Sequence, residues 1–125
     1  MIPVIQTKMV VKNSKGGMIV RGNCLAACIA SLLELPITEV PNVETLYGID
    51  DNYYWEVLWK WLQAKNYEIT TIQGHLFDNN YYLVSGESPR GIHHICIYQN
   101  GKLVHDPHPS KDGILTEEYF QILEK

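Results

Sequence analysis

No stretch of the chain approaches the run of about eighteen apolar residues that a membrane-crossing helix needs, so neither a membrane span nor a membrane partner is expected. There is no cluster of Lys or Arg and no basic helix pattern, and ten basic residues stand against fourteen acidic ones for a net charge of -4. That balance lacks the electrostatic footprint of a phosphate-binding surface, and nucleic acid is not an expected partner. The N-terminal MIPVIQTKMVVKNSKGG lacks the charged and long apolar regions of a secretory signal, which points to a cytoplasm as the working compartment. Cysteines are few and odd in number, Cys24, Cys28 and Cys96, which argues against a disulfide framework and leaves at least one thiol outside any bridge. Nothing in the pattern calls for a cofactor, and none is expected.

What is present is the composition of a folded protein: 46% hydrophobic and 19% charged residues over 125 positions, enough for one domain spanning 1–125 and too few for two. IPVIQTKMVV reads as a strand from its β-branched content, and Asn13-Ser14-Lys15-Gly16-Gly17 as a turn before Met18-Ile19-Val20, an opening hairpin or extended arm. CLAACIASLLEL has high helix propensity and no internal Gly or Pro, with Asn23 placed to cap it and Pro36 to end it. Leu25, Ile29 and Leu32 form an apolar stripe, and Ala26, Ala27 and Ala30 keep the helix slim, so it is expected to be buried. Thr38 is placed to cap a further turn, broken by Pro41-Asn42.

In YYWEVLWKWLQAK, Tyr54, Val57, Leu58, Trp61 and Leu62 recur at helical spacing, which predicts a second helix. Trp61 reads as core; Trp55 and Trp59 are open between packing and ligand stacking. From Asn66 onward YEITTI, YYLVSG, HHICIY and KLVHD alternate with turn signals and predict an antiparallel sheet, followed by a short C-terminal helix through EEYFQILEK capped by Thr116. Two helices followed by a sheet is an α+β order. No internal repeat or low-complexity segment interrupts it.

The chemistry concentrates at both ends of this pattern. Cys24 falls in the first turn of the first helix, where unpaired N–H groups and the helix dipole favour a thiolate, the form that attacks carbonyls. HHICIYQNGKLVHDPH, residues 93–108, holds four of the five histidines. In it His94 begins one strand and Asp106 ends its partner beside Pro107. A helix-end Cys facing a His and an orienting Asp on adjacent strands is a nucleophile–base–orienter set.

GNCLAACIASLLELPITEVPNV, a tryptophan-rich helix, and SPRGIHHICIYQNGKLVHDPHPS together resemble a group of small phage and bacterial proteins of the papain-like cysteine peptidase fold, over nearly the whole chain. The order is also similar to the leader-peptide-removing cysteine peptidases of bacteriocin exporters. The resemblance implies a papain-like α+β fold, with a buried helix carrying the Cys packed on a C-terminal antiparallel sheet. It implies Cys24 as nucleophile, His94 as base and Asp106 as orienter, acting on a protein or peptide substrate inside a bacterial or infected host cell. In those relatives a Gln upstream of the Cys donates to the oxyanion. The nearest here is Gln6, eighteen positions before Cys24, so that role requires residues 12 to 20 to loop out. The backbone N–H of Cys24 is the other donor.

Register decides which histidine meets the carboxylate. A two-residue type I′ turn at Asn100-Gly101 pairs Gln99 with Lys102 and puts Asp106 on the face of His93. A three-residue loop with a Gly bulge pairs Tyr98 with Lys102 and sets His94 across from Asp106, and a bulge near the Asp106-Pro107 strand end would serve equally. The resemblance selects His94.

Other residues carry two readings each. His93, His105 and His108 either contact substrate or decorate the sheet and its loop. Arg90, in Ser88-Pro89-Arg90-Gly91, either meets an anionic or backbone group of substrate or is a solvated turn residue. His75 reads as a loop residue, and Cys28 and Cys96 as core. Cys24 and Cys28 with two hairpin histidines could instead make a Cys2His2 zinc site. The leading expectation is a thiol-dependent hydrolase of peptide, isopeptide or other amide bonds; a catalytically silent binding protein of the same fold is the alternative from another class.

Overall fold

CLAACIASLL, with no Gly, no Pro and a single β-branched residue, forms helix α1 (Cys24–Leu33) in the computed structural model, which describes residues 1–9, 11–12, 15, 18–20, 22–41, 51–72, 80–91 and 93–124. Leu25 through Ser31 are buried without interruption. Three alanines make this possible, because a helix hydrophobic all round can be enclosed closely only if part of its girth is small. The helix ends where Glu34 turns to φ 58 and Leu35 N–H donates back to Ala30 O at 3.0 Å. Pro36 cannot extend it and instead precedes a 3-10 turn, Ile37–Glu39, in which Thr38 is an interior residue rather than the expected cap.

Helix α2 spans Asp51–Ala64. Leu58 and Leu62 are fully buried, and Val57 and Trp61 pack half-buried against the same core. Trp61 also carries Lys65 Nζ 5.2 Å above its ring. Trp59 is 46% exposed and outside the core; the side chains of Tyr54 and Trp55 lie outside the described residues. No helix among the described residues is long and apolar enough to cross a membrane.

The N-terminal expectation resolves into both of its forms. Residues 1–9 form an arm outside any strand, and among the described residues of this region Val11–Lys12 (β1) and Met18–Val20 (β2) pair antiparallel. The arm lies along α1: Ile2 N–H donates to Ser31 O at 3.0 Å and Val4 N–H to Ser31 Oγ at 2.9 Å. Ser31 Oγ–H in turn donates to Ala27 O at 2.7 Å, so a hydroxyl buried in mid-helix has a partner on each side.

Five strands form the main sheet: β3 (Glu68–Ile72), β4 (Tyr81–Glu87), β5 (His93–Gln99), β6 (Lys102–His105) and β7 (Thr116–Glu124), in the order β3-β7-β4-β5-β6 with antiparallel neighbours throughout. The C-terminal segment read as a helix is therefore a strand, and an interior one. TEEYFQILE has Glu, Gln and Leu that favour helix locally, but pairing with β3 on one side and β4 on the other overrides that weak preference. The α+β class holds.

In β4 and β5 both faces carry buried side chains. On one, Leu83 and Ile97 join Leu25, Cys28, Ile29, Leu58 and Leu62 in the core beneath the helices. On the other, Tyr82, Val84, Cys96 and Tyr98 form a second buried cluster with Ile114 against it. Period-two alternation puts His94 on this second face with Cys96 and Tyr98, while His93 and Ile95 point the opposite way.

Candidate active site

The β5–β6 turn is a two-residue turn with Asn100 at φ 53 and Gly101 at φ 76, the type I′ geometry that suits Asn-Gly. Gln99 pairs with Lys102 and Tyr98 with Leu103, as in the first of the two expected registers. The register then shifts, and Ile97 pairs with His105, so Val104 is the extra residue of a bulge. One step further, Asp106 comes level with Cys96 and shares the face of His94. The bulge thus lies between the turn and His105, and it reconciles the tight turn with an Asp106 that meets His94.

That meeting is close. His94 Nε2–H donates to Asp106 Oδ1 at 2.6 Å, with the two side chains 3% and 1% exposed. Oδ1 also accepts His108 N–H at 2.9 Å, and Oδ2 accepts Gly113 N–H at 2.7 Å. Gly113 can present that N–H because its φ of +75° is one that a side chain would strain, and a Cβ there would come within 3.3 Å of Leu103 Cδ2. Burial works against a charged Asp106, but the hydrogen bonds from His94, His108 and Gly113 and the charge of His94 outweigh it and hold the carboxyl well below the usual carboxylate range. An ionised Asp106 requires a hydrogen on Nε2, so in the neutral ring the lone pair is on Nδ1.

Cys24 begins α1 and is half-buried. Four residues later, about 6 Å along the axis, Cys28 Sγ–H donates to Ile95 O at 3.5 Å, which fixes this end of the helix against the first half of β5. Asn23 stands at the cap position, yet its side chain does not cap the helix. Its Oδ1 accepts Thr7 N–H at 3.0 Å and Lys8 N–H at 2.9 Å, and its Nδ2 donates to Thr7 Oγ1 at 2.8 Å. Asn23 N–H donates to Lys8 O at 3.1 Å.

These bonds bring Gln6 to the site. Thr7 and Lys8 meet Asn23 directly, so Gln6 and Cys24, eighteen positions apart in sequence, sit on two chain segments that are hydrogen-bonded to each other. Gln6 is 5% exposed; its backbone N–H donates to Pro107 O at 2.9 Å and Nε2 donates to Lys8 O at 2.9 Å. Its Oε1 is buried with no hydrogen-bond partner.

The remaining candidates fall into two groups. His105 is buried and donates from Nε2 to Val4 O at 2.7 Å, which makes it a tie between β6 and the N-terminal arm. His93 is exposed at the start of β5 on the face away from His94. His108 stands edge-on to His94, ring centroids 6.1 Å apart at 87°. Its Nδ1 accepts Ser110 Oγ–H at 2.8 Å and Ser110 N–H at 3.0 Å, and Arg90 Nη1 donates to Ser110 Oγ at 2.9 Å with Asp112 Oδ2 3.7 Å away. Burial, then the charges of Arg90 and His94, push the His108 pKa down against the opposing pull of Asp106 and Asp112. Arg90 therefore braces the loop that carries His108 instead of standing solvated. His75 lies outside the described residues.

Sequence reasoning missed Cys96. Cys96, His94 and Asp106 are all buried, with their ligand atoms within 4.8 Å of one another. This is the candidate metal cluster among the described residues, and it contains neither Cys24 nor Cys28, the two cysteines of the rival Cys2His2 reading. As a metal centre the trio fits poorly. The His94 nitrogen facing Asp106 is already spent at 2.6 Å, and three donors occupy the carboxylate. No family model, curated protein or solved structure matches the chain.

Proposed function

We propose that the chain is a thiol hydrolase of papain-like fold that cleaves a peptide, isopeptide or related amide bond in a protein or peptide substrate. The observation that carries this reading is the buried His94–Asp106 hydrogen bond of 2.6 Å, which leaves Nδ1 as the basic nitrogen of an oriented imidazole. Cys24, at the start of a helix whose cap residue has its side chain engaged elsewhere, is the nucleophile that such a base serves.

In the proposed reaction Nδ1 takes the Cys24 thiol proton and the thiolate adds to the scissile carbonyl carbon. The oxyanion is met by Cys24 N–H and by the Nε2 hydrogen of Gln6 that Lys8 O does not use. The imidazolium returns its proton to the departing amine as the C–N bond breaks, leaving a thioester. Water, deprotonated by Nδ1, then releases the acid and the Cys24 thiol.

The test needs no known substrate. The pH dependence of iodoacetamide alkylation at Cys24 is followed by mass spectrometry in the native protein and in His94→Ala. Fast alkylation persisting well below the ordinary thiol pKa of about 8.5, and lost in the variant, is the expected result. Slow alkylation of an ordinary thiol in both proteins removes the catalytic reading in favour of a silent binding protein.

A further inference from the structure

A carboxylate offers about four lone-pair sites. On Asp106, Oδ1 accepts His94 Nε2–H and His108 N–H, and Oδ2 accepts Gly113 N–H, which leaves one site on Oδ2. Beside it lies Cys96 Sγ, fully buried in mid-strand and within 4.8 Å of both the His94 and the Asp106 ligand atoms. Its cross-strand partner is Val84, so the surroundings are otherwise those of a β-branched core position.

We infer that Cys96 is a positioning residue: its S–H donates the fourth hydrogen bond to Asp106 and so holds the carboxylate that orients His94. This rests on the catalytic reading of His94 and Asp106 and adds a fourth member behind them.

The electrostatics agree. Burial first, then the Asp106 charge, the Cys24 charge and a side-chain hydrogen bond to Asp106 push the Cys96 thiol far up, with Arg90 opposing, so the sulfur keeps its hydrogen and remains a donor. Cys28 is equally buried, but its S–H goes to the neutral carbonyl of Ile95. Among the described residues, Asp106 meets His94 from β5 and Lys111 from its own loop, whose Nζ binds Asp106 O at 2.7 Å; Cys96 feels the charges of Asp106, Cys24 from α1 and Arg90 from the loop before β5; and His108 feels those of Arg90, His94, Asp106 and Asp112. A valine at 96 would keep the packing and remove the donor. A serine would keep a donor.

The experiment compares native protein, Cys96→Val and Cys96→Ser. In each, the Asp106 carboxyl is titrated by carbon NMR and the acid limb of Cys24 alkylation is measured. Both midpoints are expected to move to higher pH in Cys96→Val, because an ionised carboxylate has lost a donor, and to return toward the native values in Cys96→Ser. Identical Asp106 titrations in all three overturn the inference. Should Cys24 prove unreactive while Asp106 still responds to Cys96, the catalytic reading falls and the hydrogen bond stands, so the two failures are distinguishable.

If the valine variant does not fold, Raman spectroscopy of the native protein reads the bond directly. The Cys96 S–H stretch, assigned by its loss in Cys96→Ser, is expected below that of Cys28, which has the weaker acceptor. A Cys96 band at or above that of Cys28 overturns the inference.

Discussion

Lys8 and Asn23 are joined twice, by Lys8 N–H to Asn23 Oδ1 at 2.9 Å and by Asn23 N–H to Lys8 O at 3.1 Å. This pair of hydrogen bonds seats the N-terminal arm beside the first residue of α1. Gln6, held from the other side by Pro107 O, then bridges the start of α1 and the strand end that carries Asp106. Backbone bonds from the arm thus tie together two parts of the site that are far apart in sequence.

Asn23→Ala breaks this junction, leaving Thr7 N–H, Lys8 N–H and Thr7 Oγ1 to find water or go unpaired. A loss of about 1–3 kcal/mol is expected from chemical denaturation, with slower Cys24 alkylation. Asn23→Asp keeps both acceptor bonds and should retain most of the stability. Equal losses in the two variants would show that the arm is held elsewhere.

Gln6→Ala separates stability from chemistry. The side chain buries an oxygen without a partner, so its removal deletes an unpaid desolvation cost along with one hydrogen bond to Lys8 O. The melting temperature should change little. Acylation of Cys24 by an activated ester should fall about 10²–10³-fold if Nε2 donates to the oxyanion. A large drop in stability with unchanged acylation would make Gln6 a packing residue.

How much of this was legible in the sequence depends on the range of each contact. α1, α2, the strands β3 to β6 and the Asn100-Gly101 turn carry local signals of period, propensity and turn chemistry, and they fold as read. The β7 strand does not, because its identity is set by β3 and β4, both distant in sequence. The residues themselves do not fix the register at Asp106, for which the resemblance selects His94, for a similar reason: Asn-Gly specifies the turn, but no residue type announces the bulge at Val104. Cys96 was hidden by its neighbours, since a Cys between Ile95 and Ile97 reads as core until the bulge brings Asp106 level with it. Asn23 had the cap position but not the capping bond, because the arm competes for the same oxygen.

The three thiols should separate by accessibility. Cys24 is half-buried, whereas Cys28 and Cys96 are fully enclosed, one beneath each face of the sheet. Under native conditions iodoacetamide is expected to modify Cys24 alone, and the other two should react only at the rate of unfolding. Modification of Cys96 at a rate near that of Cys24 would show that the second face opens without global unfolding.

Acid stability tests the Asp106 environment independently of any activity. The folded carboxyl titrates well below the value of about 3.9 expected for the unfolded chain. A depressed folded pKa contributes stability that is fully present above the unfolded value and is lost as pH falls from about 4 through the folded value. Asp106→Asn lacks that titration, and its amide NH2 must face a donor among His94, His108 or Gly113, so it should be less stable than native protein at pH 7. Below about pH 4 the native melting temperature should fall more steeply than that of the variant, and the gap between them should narrow. Parallel curves would mean that the cage of three donors around Asp106, from His94, His108 and Gly113, does not hold in solution, and with it would go the support for His94 as an oriented base.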